Sequence, residues 1–180
     1  MSECRATVQC VMLADDPATF VTRMVADIRV EIGGIPGDRH FGLLRPADSR
    51  QKIYPRGALI ANRRQISIVS QEECELIAIH LGIPEIKPEW LGANIMISGL
   101  EKLTELPQGT RLIFPDGTGL ICEGENLPCI GPGRVIETIC NQSGLSHKFV
   151  PAAKKMRGIV CSIEREGCIS RGDIIRIIGV

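Results

Sequence analysis

The chain has 180 residues, enough for one domain with a full hydrophobic core, and its length gives no reason to expect two. Lys plus Arg balance Asp plus Glu at 21 each and aromatic residues make up 3%. No bulk charge therefore draws it to nucleic acid or an acidic membrane, and stacking on single-stranded bases is excluded. The opening MSECRATVQCVMLADD lacks a basic segment followed by a long apolar run. Nothing later approaches the roughly 20 apolar residues of a membrane span, so a cytoplasmic, soluble protein is expected.

Short apolar runs bounded by Gly, Pro, Asn or Asp follow one another, the pattern of a β-rich domain. RATVQCVML (5–13) reads as the first strand, stopped by ADDP, and DIRVEI (27–32) as the second. The glycine-rich GGIPGDRHFG (33–42) follows, then a basic stretch from Arg45 to Arg64, then a strand at 65–69. Ser70 and Glu73 form a capping box for a helix whose apolar face is Cys74, Ile77, Ala78 and Leu81, and Gly82 ends it before Pro84. Strands are expected at 94–98, 110–114 and 118–123. A helix is expected over 131–142, with Pro132 in its first turn, and a short one near 150–156. The strands 158–164 and 173–178 close the chain, the second opened by a tight turn at Gly172-Asp173. Several strands are apolar on both faces, which favours closure over an open one-sided sheet. The expected fold is mainly β with a few short helices, a β-rich α+β class, built as a closed or partly closed β-barrel in a single domain over 1–180.

Eight cysteines suggest a disulfide framework only in a short, core-poor secreted chain, and this one is rich in Ile, Val and Leu. Cys10, Cys122 and Cys161 lie inside apolar runs and read as buried packing. No CxxC pair and no Cys–His spacing makes a zinc pattern, and the spacing of His40, His80 and His147 gives no support to a three-histidine site.

Cys129 is different. It stands in GENLPCIGPG (124–133), behind Pro128 and among residues that shape backbone rather than pack. A thiol just before a helix has its thiolate favoured by the free N–H groups of the first turn. It could serve as a nucleophile, a sulfur carrier or a metal ligand, or be one more half-buried loop cysteine. Asp38, Arg39 and His40 form a compact polar triplet. Either Arg39 or His40 faces an anion with Asp38 fixing them, or Asp38 bonds its own turn and the other two are solvated. The run Arg45, Arg50, Lys52, Arg56, Arg63 and Arg64 meets a single acid, Asp48. It could seat a phosphate, or be a solvated loop. The RGD tripeptide at 171–173 is read as structural.

In their order, IPGDRHFG (35–42), RRQISIVSQEE (63–73), GANIMISGL (92–100), LTELPQGTRLIF (103–114), the Pro-Cys pair at 128–129 and RGIVCSIEREGCISRGDIIRI (157–177) resemble the MOSC domain. This is the module at the C-terminal end of molybdenum-cofactor sulfurases, and it also occurs as stand-alone bacterial proteins. The resemblance implies a β-barrel and a role in molybdenum-cofactor or metal–sulfur handling. The family's functional cysteine matches Cys129. It either carries sulfur as a persulfide, received from a pyridoxal-phosphate-dependent cysteine desulfurase, or ligates molybdenum as a thiolate. Asp38, Arg39, His40, Arg63, Arg64, Asn94 and Pro128 are then the expected residues of a molybdopterin site, with arginines on the pterin phosphate. The implied partners are the desulfurase or a molybdoenzyme acceptor for sulfur handling. For a reductase of N-hydroxylated compounds, the partner is an electron-donor reductase. Pyridoxal phosphate belongs to the partner, since no lysine here sits in a motif for it. A non-catalytic binding module is the remaining alternative.

Overall fold

The computed structural model describes residues 3–179. All eight expected strands are present within two residues of their expected bounds. They are β1 (Glu3–Leu13), β3 (Asp27–Val30), β6 (Ile66–Ser70), β7 (Ile95–Ser98), β8 (Arg111–Ile113), β9 (Gly119–Glu125), β10 (Ile159–Arg165) and β12 (Ile174–Ile178). Four short strands join them: β2 (Arg23–Val25), β4 (Leu44–Pro46), β5 (Leu59–Ala61) and β11 (Gly167–Ser170).

Seven strands close into a barrel in the order β12-β8-β9-β10-β6-β7-β1, with β1 pairing back to β12 and β2 added at the edge of β1. Every neighbouring pair in the ring is antiparallel except β6 and β7, which run parallel. The closing segment is not a simple hairpin: β11 leaves β10 and pairs with β3 in a separate ribbon, and β4 pairs with β5 in another.

Barrel strands alternate between two apolar environments. Ile66 and Ile68 of β6 and Val8 and Val11 of β1 fill the barrel, while Val69 and Met12 face outward into a second cluster under the helices. The strands are thus apolar on both faces because one face lines the barrel and the other is roofed. A bulge between Val8 and Cys10 marks where β1 shifts register against β7. Cys122 and Cys161 are fully buried, whereas Cys10 is half-buried.

The roof is α1 (Gln71–Leu81), α2 (Ile130–Cys140) and α3 (Leu145–Ala152), the last starting five residues before the expected short helix. α1 has the expected ends: Ser70 Oγ accepts from Glu73 N at 3.1 Å, and Gly82 takes the left-handed conformation. The capping box is only half made. Glu73 does not reach back to Ser70 but accepts from Thr104 N (2.8 Å) and Thr104 Oγ1 (2.7 Å), and Gly158 N donates in turn to Thr104 Oγ1 at 2.7 Å. Tertiary bonds to a buried partner displace the local reciprocal bond, and they pin the start of β10. α2 packs on α3 through Gly133, where a Cβ would lie 2.6 Å from Ser146 O. No helix among the described residues is long and apolar enough to cross a membrane.

Candidate functional site

The glycine-rich turn after β3 is anchored by Asp38, whose side chain is fully buried. Its Oδ2 accepts from Ala14 N and Asn94 Nδ2, both at 2.9 Å, and its Oδ1 accepts from His40 N at 2.9 Å and lies 2.9 Å from His40 Nδ1. Burial pushes this carboxyl up, but the bonds from His40 and Ala14 outweigh it and hold Asp38 below the ordinary carboxylate range. Asp38 therefore ties three segments together rather than facing a ligand itself. The His40 ring is 42% exposed and Arg39 is exposed.

Asn94, just before β7, is completely buried. Its Oδ1 accepts from Ser67 N at 3.0 Å, while its Nδ2 reaches Asp38. Ser67 leads further: Asn126 Nδ2 donates to Ser67 Oγ at 3.2 Å, and Asn126 Oδ1 accepts from Arg64 Nη2 at 2.7 Å. One polar chain thus runs His40–Asp38–Asn94–Ser67–Asn126–Arg64, and its member Asn126 lies three residues before Cys129 in sequence. Burial, with Arg50 and Arg45 nearby, brings the Arg64 guanidinium down to about 10.

Cys129 is the N-cap of α2, extended at φ −136° and ψ 170°. It is exposed and makes no side-chain cap bond, so the first-turn N–H groups are not taken up by it. The Phe20 ring lies alongside: a Cβ on Gly131 would be 3.5 Å from that ring and 3.8 Å from Cys129 Sγ. Arg157, just before β10, is 6% exposed. Its Nη2 donates to Leu91 O, and its buried Nη1 has no hydrogen-bond partner among the described residues. Burial lowers Arg157 to about 10, opposed by the thiols of Cys74 and then Cys129, which places Cys129 within electrostatic reach of this cation.

The expected residues thus separate. Asp38, His40, Asn94 and Arg64 share one network, while Cys129 and half-buried Pro128 follow its member Asn126 in sequence. Arg63 lies apart, 74% exposed and 3.5 Å from Glu123, and Arg39 makes only a backbone bond, to Ala14 O. Sequence reading passed over Arg157, Asn126 and Phe20. Arg157 does carry a signal, being a cation directly before the glycine that opens a strand whose first three residues, Ile159, Val160 and Cys161, are apolar and buried.

Among the described residues, no three His, Cys, Asp or Glu side chains are grouped to hold a metal ion. A metal bound through Cys129 has one protein thiolate and must bring its other ligands. The arrangement offers a thiol in the open, free helical N–H groups and a buried guanidinium with an unused donor. Molybdopterin, a metal dithiolene carrying a phosphate, fits that donor set: thiolate for metal, guanidinium for phosphate.

Comparison with known proteins agrees with this fold. The MOSC domain model matches residues 36–176. A Bacillus subtilis protein named "Putative metal-sulfur cluster biosynthesis proteins YuaD" is 51% identical over 163 residues, 90% of this chain and 85% of that one. The crystal structure of a YuaD protein from Bacillus subtilis superposes with a TM-score of 0.96 at 47% identity, covering 99% of this chain and 98% of the other. YiiM from Escherichia coli shares the fold at 13% identity, with a TM-score of 0.64 over 98% of this chain and 71% of its own.

Proposed function

Because the chain belongs to the MOSC domain family, we propose that it handles metal-bound sulfur or the molybdenum cofactor through the thiol of Cys129. The observation that carries this reading is an exposed thiol within electrostatic reach of Arg157, a buried guanidinium whose Nη1 has no hydrogen-bond partner among the described residues. Burying a cation with an unmade hydrogen bond is costly. A residue kept in that state beside a nucleophilic or metal-ligating side chain is set up to receive an anion. When bound, the cofactor supplies the oxygen- and sulfur-transfer chemistry of its molybdenum. The protein supplies the thiolate, a phosphate seat at Arg157 with Arg64 at its edge, and helical N–H groups that favour negative charge. The Bacillus subtilis relative's name, which points to metal–sulfur cluster biosynthesis, agrees with this class of role.

A persulfide carrier needs the thiol but has no use for the unpaired guanidinium, so cofactor binding is the reading the geometry favours between the two. The test is metal and intact-mass analysis of freshly purified protein from a host that makes molybdenum cofactor, comparing wild type with Cys129→Ser and Arg157→Met. Molybdenum and pterin in wild type, lost in both variants, is the expected result. A sulfur-mass adduct on Cys129 without metal, kept in Arg157→Met, identifies a carrier instead. Neither signal in folded wild type leaves a binding module.

A further inference from the structure

The β4–β5 ribbon pairs with no strand of the barrel. A two-stranded ribbon is marginal alone, and a ribbon with one face in water ordinarily turns polar side chains outward. This one does the reverse. In register, Leu44 lies opposite Ala61 and Pro46 opposite Leu59, and all four are exposed, while Arg45 and Ile60 are turned inward. Leu44 is 58% and Leu59 69% exposed, and Ile53 in the connecting loop reaches 85%.

That loop is held in place. Ala47 N donates to Ala58 O and Gly57 N to Ala47 O, both at 2.8 Å, and Asp48 accepts from Arg45 at 2.6 Å and from Arg50 at 2.8 Å. With Asp48 engaged, Lys52 and Arg56 are exposed without an ion pair among the described residues. The ribbon therefore presents an ordered apolar face rimmed by positive charge. Contiguous exposed apolar surface with a polar rim marks an interaction site.

We propose that this face docks an acidic protein, one with an apolar centre ringed by Asp and Glu, that exchanges the group carried at Cys129. The inference rests on the proposed function for the identity of that group. Charge decides the occupant. A second copy would set Lys52 and Arg56 against themselves, whereas an acidic rim neutralises them and gains steering. Nucleic acid would match the cations but not the Leu and Pro face. Position decides the purpose: Arg64 at the end of the basic stretch bonds Asn126 in the segment leading to Cys129, and Arg50 of the ribbon loop stands within electrostatic reach of both Arg64 and Arg157. A partner on the ribbon therefore lies on the side of the molecule that carries Arg64 and Arg157.

The test places a photo-cross-linking residue at Leu59 and, as control, at Ile79 on the exposed side of α1, in cells producing the full chain. The protein captured at Leu59 and not at Ile79 is identified by mass spectrometry, purified and titrated against wild type, Leu44→Ser/Leu59→Ser, Lys52→Glu/Arg56→Glu and Cys129→Ser. The expected result is an acidic partner whose affinity falls at least tenfold in each ribbon variant and falls with salt. Cys129→Ser should bind within twofold of wild type, so that loss of the thiol chemistry and loss of docking are read separately. Equal capture at both positions, capture of a second copy or of nucleic acid, unchanged affinity in the ribbon variants, or lost affinity in Cys129→Ser overturns the proposal.

Discussion

Replacing Arg157 by Met separates what this cation does for folding from what it does for binding. Burial brings the guanidinium down to about 10 on folding. A base whose pKa falls on folding opposes the folded state at every pH below the folded value, and that opposition fades as pH rises through it. At neutral pH this shift corresponds to about 3 kcal/mol against folding. Methionine keeps much of the aliphatic volume and removes the charge, but leaves Leu91 O without its donor, a loss of about 1–3 kcal/mol. The two terms nearly offset, so Arg157→Met should unfold in denaturant within about 2 kcal/mol of wild type. Ligand response should differ sharply. Inorganic phosphate at ten times its Kd stabilises wild type by about 1.4 kcal/mol, or roughly 3–6 °C in Tm for a chain of this size. Arg157→Met should show no such shift. A variant destabilised by more than about 3 kcal/mol means the guanidinium is chiefly structural. A variant that keeps the phosphate shift means the orphaned Nη1 is not the anion seat.

Cys129→Ser should raise stability by up to about 1 kcal/mol, because Ser is a good N-cap and the thiol makes no cap bond; equilibrium unfolding by circular dichroism checks this. Asn94→Ala should cost about 3–4 kcal/mol by the same measurement, since it leaves buried Ser67 N without its acceptor and Asp38 without a donor. Asp48 is the acid-sensitive point of the basic loop. Burial would raise it, but bonds from Arg50 and Arg45 bring it down to about 2. A carboxylate depressed on folding stabilises fully above its unfolded value and loses that contribution as pH falls through the folded one. Protection of amides in the 47–58 loop, measured against their intrinsic exchange rate at each pH, should therefore fall between about pH 4 and pH 2, before that of the barrel amides.

The barrel was legible because its strands carry the Ile, Val and Leu runs that two apolar surroundings require. The four strands missed are three or four residues long, and β2, β4 and β5 bury no side chain fully, so no alternation betrays them. Cys129 stood out through its Pro and Gly neighbours, which fix the start of α2. Arg63 and Arg64 stand together in one basic stretch, and nothing local distinguishes them, since the partner of Arg64, Asn126, lies 62 residues on. Arg157 escaped notice for the same reason: its surroundings come from the turn before β7, from Cys74 on α1 and from the α2 N-cap, which only the closed barrel brings together. Glu73 shows the reverse error, a local rule satisfied in sequence and overruled by Thr104.

The one parallel pair in the ring has a reason in counting. Strand direction must return to itself after a circuit, so a ring admits only an even number of reversals. Seven strands offer seven junctions, and six reversals leave one junction that cannot reverse. That forced seam falls between β6 and β7. Both strands begin at the same end there, and the slanted ladder is completed by a side chain, Asn94 Oδ1 standing in for a main-chain acceptor to Ser67 N. Arg64, Ser67, Asn94 and Asp38 all gather at this end. The chemistry has collected where parity prevents the sheet from being regular. Adding or removing a whole hairpin changes the count by two and keeps an odd ring with its seam, whereas loss of a single strand would abolish the need for it and, with it, the place where these residues meet.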